Sequence, residues 1–412
     1  SSYKYPENDE SLPKILDYQS REMENKMRFE NTSRNKGFKF NVGAELEFSK
    51  YTNSTYQKRF TGNQLVTIDY DSELIFRQWG FFGQLSKDVW NDLLSLSVGF
   101  RIDANDYSKS MMNMFDQFSP RISAAYKLSY NFSINANAGS YYQIPAYTTL
   151  GYRDENGNLK NKENDLRYIS ADHVIAGAEY RPNENSKITL EGFYKQYQNY
   201  PFSVRDSINL ANKGADFGVI GDEEVTSTGE GEAYGFELMA RVKDIKGWNT
   251  IFSYTFVRSL FKDKYGQLTP SAWDSYHILT MTVTKNFGKN WKLGAKWRFV
   301  GGLPYTPYDL TNSSIKEVWD TRGQALLDYG SLNEKRLGAF HQLDIRLDKQ
   351  FFFKRWSFMV YLDIQNLYNF QADQPDYIIR EQNQDGTYKV VDNNGIEQYV
   401  LKRLENTSET VL

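Results

Sequence analysis

The stretch FKFNVGAELEF (Phe38–Phe48) alternates between apolar and polar residues along its whole length. Successive side chains of a β-strand point to opposite faces, so this stretch has one apolar face and one face carrying Lys39, Glu45 and Glu47. A tilted strand of about ten residues is long enough to cross a bilayer. Charges along the whole second face indicate that this face meets water. The stretch therefore predicts a transmembrane β-strand with its apolar face toward lipid.

The same alternation recurs along the chain, at 94–104, 234–242, 291–299, 343–348 and 356–364 among other places. This pattern predicts about 14 strands between residues 16 and 367. Short turns alternate with long segments, and the long ones are predicted as outer loops at 49–76, 141–171, 198–231, 301–339 and 369–412. Short periplasmic turns and long extracellular loops are typical of outer-membrane barrels. Aromatic residues at strand ends, such as Trp90, Trp248, Trp291 and Trp356, predict girdles at the membrane interface.

The fold class predicted is all-β, a transmembrane antiparallel up-and-down β-barrel, with residues 1–412 forming a single partial barrel domain. In this scheme strand 356–367 runs outward, and no inward strand follows it before Leu412. We therefore expect the last strand to be absent from this chain. Because an open sheet edge is not tolerated in lipid, we also expect the chain to be part of a larger polypeptide.

Composition excludes several other classes. The 412 residues carry a net charge of −3, which gives no sign of nucleic-acid binding. There is no cysteine, and therefore no disulfide or thiolate metal site. The mean hydropathy is −0.66, and no run of about 18 apolar residues predicts a membrane helix.

Several longer segments resemble the barrel of TonB-dependent receptors of the Bacteroidetes type. They are FSPRISAAY (Phe118–Tyr126), GEGEAYGFELMARVK (Gly229–Lys243), RFVGGLPYTP (Arg298–Pro307) and FHQLDIRLDKQFFFKRWSFMVYLDIQNLYN (Phe340–Asn369). In that family about 22 strands surround a plug domain. The resemblance implies that this chain holds the eighth to the twenty-first strand, with the plug, the TonB box and the remaining strands outside it.

The resemblance also implies a function and partners. Such receptors lie in the bacterial outer membrane as multi-pass proteins and import a scarce, bulky ligand, such as a siderophore, peptide, glycan or vitamin. The TonB–ExbB–ExbD complex drives import through the plug region, and a surface lipoprotein is a further candidate partner. Outer-membrane lipid is the other expected partner. A passive porin or secretion pore, and a structural outer-membrane protein or adhesin, remain as alternatives.

Aromatic residues in the outer loops are the candidate ligand-binding residues, because rings can stack on flat or sugar-like ligands. They are Tyr141, Tyr142, Tyr147, Trp273, Tyr305, Tyr308 and Trp319. The alternative for the same residues is interfacial anchoring or loop packing, and anchoring is the usual role of interfacial aromatic residues. Charged residues on the polar face are predicted to face the lumen, where they line a substrate path or pair across strands and with the plug. They are Arg101, Glu237, Arg241, Arg298 and Arg346.

Catalysis and metal binding have little support in the sequence. His173, His277 and His341 each lie near a strand start, and only His277 has Asp274 and Ser275 beside it. Sequence proximity does not make a catalytic triad, so we expect neither an enzyme nor a cofactor. The acidic stretches Asp154–Asn158 and Asp216–Glu224 lack the spacing of an EF-hand, so no metal site is predicted.

Overall fold

The structure is a computed structural model that describes residues 2–5, 14, 16–61, 64–154, 156–213 and 223–406. Its strands are β1 (Ser2–Tyr5), β2 (Leu16–Asn35), β3 (Phe38–Thr61), β4 (Gln64–Val89), β5 (Leu94–Asn105), β6 (Ser119–Lys127), β7 (Phe132–Gln143), β8 (Ile169–Asn183), β9 (Ser186–Ser203), β10 (Val225–Ile245), β11 (Trp248–Lys262), β12 (Leu268–Pro270), β13 (Tyr276–Gly288), β14 (Trp291–Val300), β15 (Pro304–Tyr305), β16 (Tyr308–Asp309), β17 (Leu326–Leu327), β18 (Lys335–Arg336), β19 (Phe340–Phe352), β20 (Ser357–Ile364), β21 (Tyr377–Arg380), β22 (Val390–Asn393), β23 (Ile396–Tyr399) and β24 (Leu401–Leu404).

The helices are short and lie between the long strands. They are α1 (Lys109–Met112), α2 (Tyr147–Leu150), α3 (Lys160–Glu163), α4 (Leu210–Lys213), α5 (Leu310–Ser314) and α6 (Lys316–Arg322), with 3₁₀ turns at Met114–Gln117 and Tyr329–Ser331. None of the helices in the described part of the chain is long and apolar enough to cross a membrane.

One antiparallel sheet dominates the structure. Its fifteen-strand path runs β1 to β11, then β13, β14, β19 and β20, so that each strand pairs with its neighbours in sequence. The short strand β12 pairs with the end of β11. All of the strands predicted between residues 16 and 367 are present, so the prediction of an antiparallel up-and-down sheet is confirmed. In the part of the chain that the structure describes, no ladder joins β20 to β1 or β2.

The alternation in sequence becomes two chemically different faces. We call one the apolar face, because it exposes large apolar side chains such as Val42, Val98, Ile122 and Leu362, each more than half exposed. The other, the polar face, carries residues such as Glu45 and Arg101. A contiguous apolar surface of this extent is rare on soluble proteins and suits contact with lipid.

The segment 49–76, predicted as an outer loop, is built as β-structure, because both strands of this hairpin continue through it. Strands β3 and β4 have 24 and 26 residues and reach Thr61 and Gln64. Residues 62–63 lie outside the described residues. Alternation of apolar and polar residues fades after Phe48 because both faces become polar beyond the membrane. The ladder of backbone hydrogen bonds nevertheless continues, and Ser49, Tyr51 and Asn53 are buried on the polar face.

The other long connections fold back over the polar face and build a core there. The connection 144–168 carries α2 and α3, and 204–224 carries α4, with residues 214–222 outside the described part. Aromatic side chains from the β3–β4 hairpin meet them, and the rings of Phe76 and Tyr147 pack edge to face with centroids 5.4 Å apart. The buried members of this cluster are Tyr51, Leu74, Phe76, Tyr107, Met111, Tyr147, Leu150, Leu166, Tyr168 and Val225.

A buried carboxylate ties together strand β11, the connection between β11 and β13, and the segment 301–339. Asp274 is fully buried and accepts hydrogen bonds from the backbone N–H of Ser259 (2.8 Å), from Arg258 Nε (3.1 Å) and from Arg336. Both guanidinium groups also lie over the ring of Tyr276, at 4.6 Å and 3.9 Å from its centroid. One carboxylate therefore pairs with two arginines from separate segments and fixes the segment 301–339 to β11 and β13.

Replacing Asp274 by alanine should loosen this segment. The substitution leaves two arginines without their shared anion, and breaking a buried ion pair costs about 3 kcal/mol or more. We expect the free energy of local opening for amides in 301–339 to fall by about 3 kcal/mol, measured by native-state hydrogen exchange on the full-length protein. The control is Glu334→Ala, an exposed carboxylate in the same segment. Equal protection in the two variants would contradict the assigned role of Asp274.

Candidate ligand site

The polar face of β3 and β5 carries an ordered set of ion pairs. Arg101 contacts Asp103 (2.7 Å) and Glu45 (3.3 Å), and Arg28 from β2 reaches Glu45 at 3.5 Å. The two arginines, from β2 and β5, thus share the carboxylate of Glu45 on β3. Arg101 was predicted from sequence to face the lumen, and the structure places it on the polar face. Its charge is paired with carboxylates of β3 and β5, as expected if these residues pair across strands instead of lining a substrate path.

A second group of charges continues this set toward the loops. Lys26 contacts Glu24 (2.9 Å) and Glu47 (3.1 Å). The hydroxyl of Tyr147, from α2, donates to Glu24 at 2.7 Å and lies 3.2 Å from Ser49 Oγ. The β2 members could not be predicted from the sequence, because the alternation in β2 is weak and does not mark its even-numbered positions as the polar face. Burial raises the pKa of the Tyr147 hydroxyl, and Glu24 raises it further, so this donor stays protonated at neutral pH.

An open recess of about 670 Å³ lies beside these charges, at the loop end of the polar face. This volume is in the range of pockets that hold small ligands. The recess is lined by tyrosines from two strands and one loop, by one histidine and by two carboxylates. They include Tyr141, Tyr142, Tyr147, Tyr197, Tyr200, His173, Glu22 and Glu24. Three of the seven predicted ligand residues are thereby brought together, and Tyr197, Tyr200 and His173 are additions from the structure.

The rings of the recess are held in place by cations and by each other. Tyr141 lies against His173, with ring centroids 4.5 Å apart, and the Arg121 guanidinium is 4.5 Å from the Tyr141 centroid. His173 and Tyr141 come from neighbouring strands β8 and β7. A flat or ring-containing ligand could stack on these rings, while the nearby charges would bind its polar groups.

The remaining predicted ligand residues lie elsewhere. Trp273 is about half exposed in the connection between β11 and β13. Tyr305 and Tyr308 belong to two-residue strands that pair with β18 and β17. Trp319, in α6, is buried, with the Arg380 guanidinium 5.9 Å from its ring centroid. The structure does not bring these four residues to the recess.

The other residues predicted to face the lumen all lie on the polar face, but their partners differ. Arg298 contacts Asp344 at 3.4 Å, and Arg346 contacts Asp348 at 2.7 Å. Glu237 lies opposite Glu191 of β9 and Arg241 opposite Lys187, so each faces a like charge across the ladder. Within the described residues, neither Glu237 nor Arg241 has an ion pair.

The three histidines have partners other than a catalytic serine and acid. His277 Nδ1 lies 3.0 Å from the Tyr254 hydroxyl, and His341 Nδ1 lies 2.8 Å from the Tyr368 hydroxyl. Asp274 is bound by arginines, so Asp274, Ser275 and His277 do not form a triad. The described residues hold no group of three or more His, Asp or Glu that could bind a metal ion.

Both acidic stretches can be placed only in part. Asp154 Oδ1 accepts from the backbone N–H of Asn156 (3.0 Å) and Asn158 (2.8 Å), which makes this stretch a turn. Residues 216–222 of the second stretch lie outside the described residues. Glu223, at its end, contacts Lys213 at 2.7 Å.

These features define a class: a membrane β-barrel wall whose loops build a recess on its polar face. Residues 1–367 match the family model described as TonB dependent receptor-like, beta-barrel, and the chain belongs to that family. Proteins of this family lie in the bacterial outer membrane, so the apolar face contacts lipid there. A search of curated protein sequences finds no match.

Solved structures show the same fold at low sequence identity. FpvA of P. aeruginosa, bound to a heterologous ferric pyoverdine, is 14% identical with a TM-score of 0.61, over 87% of this chain and 46% of that one. The copper transporter OprC is 15% identical with a TM-score of 0.57, over 87% and 52%. The ferric citrate transporter FecA in its unliganded form is 15% identical with a TM-score of 0.56, over 96% and 53%. The chain therefore spans about half the length of these structures.

The connection 204–224 should respond to acid. Burial raises the pKa of Asp206, but hydrogen bonds from Arg205 and Lys213 outweigh it, so the pKa lies below its usual 3.8. A depressed pKa stabilises the folded loop above pH 3.8, and this contribution is lost as pH falls through the folded-state value. We expect hydrogen-exchange protection of residues 204–213 to be constant between pH 7 and about 4 and to drop below that. Asp206→Asn should remove this part of the pH dependence, and an unchanged profile in that variant would contradict the assignment.

Proposed function

We propose that this chain is the barrel wall of a TonB-dependent importer that captures a scarce, bulky ligand at the recess on its polar face. The observation that carries the proposal is the aromatic recess at the loop end, where a ligand arriving from outside the cell would first meet the barrel. Family membership supports the transport class. The related structures are bound to a ferric pyoverdine or named for copper and ferric citrate, so iron chelates and copper are the first ligands to try. Peptides, glycans and vitamins remain candidates.

We further propose that import is driven by the TonB–ExbB–ExbD complex, acting through a plug region outside this chain. A passive porin or secretion pore would conduct without that complex, and a structural protein or adhesin would not transport at all. The deletion strain, complemented with the full-length gene, is to be grown on iron chelates or copper as the limiting nutrient. We expect growth that is lost when tonB is also deleted. Growth that survives the tonB deletion would favour the pore, and unchanged growth in the deletion strain on every nutrient would favour the structural alternative.

The recess residues can be separated from the other predicted ligand residues by substitution. Tyr141→Ala removes a ring that stacks on His173 in the recess, whereas Tyr305→Ala removes one outside it. Loss of one stacking ring typically costs about 1 kcal/mol beyond the buried area, so we expect Tyr141→Ala to weaken capture about five-fold or more. The measurement is binding of the growth-supporting ligand to whole cells at 4 °C. A larger loss of binding in Tyr305→Ala than in Tyr141→Ala would contradict the recess and indicate a ligand site in the 301–339 segment.

A further inference from the structure

The short-turn end of the sheet repeats one local sequence at three hairpins. A lysine in the turn is followed by glycine or asparagine and then by an aromatic residue that opens the next strand. The three segments are KGF at 36–38, KGW at 246–248 and KNW at 289–291. Each turn lysine has a positive φ, of 44° to 51°. The repeat therefore marks a common turn geometry that places an aromatic ring at the same height in each hairpin.

A second lysine lies across the ladder from each of these rings. Phe38 is opposite Lys87, Trp248 is opposite Lys285, and Trp291 is opposite Lys349. The three ammonium groups are 4.1, 4.8 and 5.1 Å from the ring centroids. These residues share the face that carries the apolar side chains, so the ammonium groups lie on the lipid side of the sheet.

Positive charge is concentrated at the neighbouring hairpins of β10–β11, β13–β14 and β19–β20. The segments 244–248, 285–291 and 349–356 contain six lysines and arginines and one carboxylate, Asp244. By contrast, the equivalent segment 87–93 has one cation, Lys87, and two aspartates. Lys285 Nζ donates to the carbonyl of Lys246 (2.7 Å), and Lys349 Nζ donates to that of Lys289 (2.5 Å), which fixes both side chains. The excess positive charge on these three neighbouring hairpins has no counter-charge of the protein to balance it among the described residues.

We infer that these hairpins bind the headgroup of an anionic phospholipid in the periplasmic leaflet of the outer membrane. We call the site the basic rim, made of Lys246, Lys285, Lys289, Lys349, Trp248 and Trp291. Short turns of such barrels lie on the periplasmic side, and tryptophan is stable at headgroup depth. Lys285 and Lys349 are two strands apart, about 10 Å, so one lipid can lie between them over Leu293. Lysine stems run along apolar surface while the ammonium groups meet the phosphate.

The position of the rim favours a lipid over other anions. A free phosphate would use only the charges, but here the charges border the exposed apolar side chain of Leu293. That surface suits an acyl chain. A periplasmic protein would approach from below the turns, whereas Lys285 and Lys349 point from the apolar face. The inference is independent of the imported ligand and uses only the family's place in the outer membrane.

The test titrates the full-length protein, purified in detergent, with dioleoyl phosphatidylglycerol or dioleoyl phosphatidylcholine and counts bound lipid by native mass spectrometry. We expect the wild type to prefer phosphatidylglycerol. Each lysine near an anionic surface raises the binding constant by a factor of about five. The double variant Lys285→Gln with Lys349→Gln should therefore weaken phosphatidylglycerol binding about 25-fold. Phosphatidylcholine binding should not change. Lys87→Gln, which has the same cross-strand geometry beside the acidic turn, is the matched control and should keep the preference, as should the double arginine variant.

Three results would overturn the inference. One is an unchanged phosphatidylglycerol preference in the double glutamine variant. Another is displacement of the lipid by millimolar inorganic phosphate, which would make the rim a site for soluble anions. The third is an unchanged lipid preference with weaker binding of a periplasmic protein partner. Heat-modifiable electrophoretic mobility checks that each variant is folded, and the single glutamine variants, each expected to weaken binding about five-fold, serve if the double variant fails that check.

Discussion

The structure depends on one constraint: in the hydrocarbon layer, every backbone N–H and C=O must find its partner within the protein. A sheet in which each strand pairs with its sequence neighbours meets this requirement with turns as short as two residues, such as Lys246–Gly247. Successive side chains of a strand then point to opposite faces of the sheet. Whether a residue meets lipid or the polar face therefore depends on whether its position in the strand is odd or even. The charged and aromatic residues that concern function are placed by the same rule. Arg101 and Glu45 meet on the polar face because the β3, β4 and β5 ladders fix their register.

Beyond the membrane the constraint changes, because loops have no ladder for their backbone groups. In these loops, buried amide side chains make the hydrogen bonds to backbone groups that a neighbouring strand makes in the sheet. Asn161 is fully buried, donates to the carbonyls of Thr149 (2.7 Å) and Glu223 (3.2 Å), and accepts from the N–H of Val225 (2.9 Å). The side-chain amide of Asn333 donates to the carbonyls of Asn212 (2.7 Å) and Pro270 (2.8 Å). An amide carries both donor and acceptor, so one side chain can satisfy backbone groups from separate connections. The loops are therefore packed against each other, and the recess they border has fixed walls.

The transmembrane strands can be predicted from the alternation of apolar and polar residues. The features that depend on tertiary packing cannot. Strands such as Trp291–Val300 follow from alternation alone, because lipid on one face and water on the other impose it. The extension of β3 and β4 does not follow, since alternation between apolar and polar residues ends where both faces are polar. Tyr141, Tyr142 and Tyr147 could be named from their place at the end of a strand. Tyr197 and His173 could not, because their approach to the recess depends on the register of β7, β8 and β9.

The distribution of charge on the polar face bears on how a ligand would be recognised. On β2 to β5, three cations pair with five carboxylates, so this part of the polar face keeps an excess of negative charge. The cations are Lys26, Arg28 and Arg101, and the carboxylates are Glu24, Glu30, Glu45, Glu47 and Asp103. On β9 and β10, Glu191 faces Glu237 and Lys187 faces Arg241, but Lys187 also pairs with Glu179 of β8 at 2.6 Å. Like charges held side by side are unfavourable unless an opposite charge lies between them. The recess lies beside the ion pairs of β2 to β5, and its lining combines tyrosine rings with the carboxylates of Glu22 and Glu24.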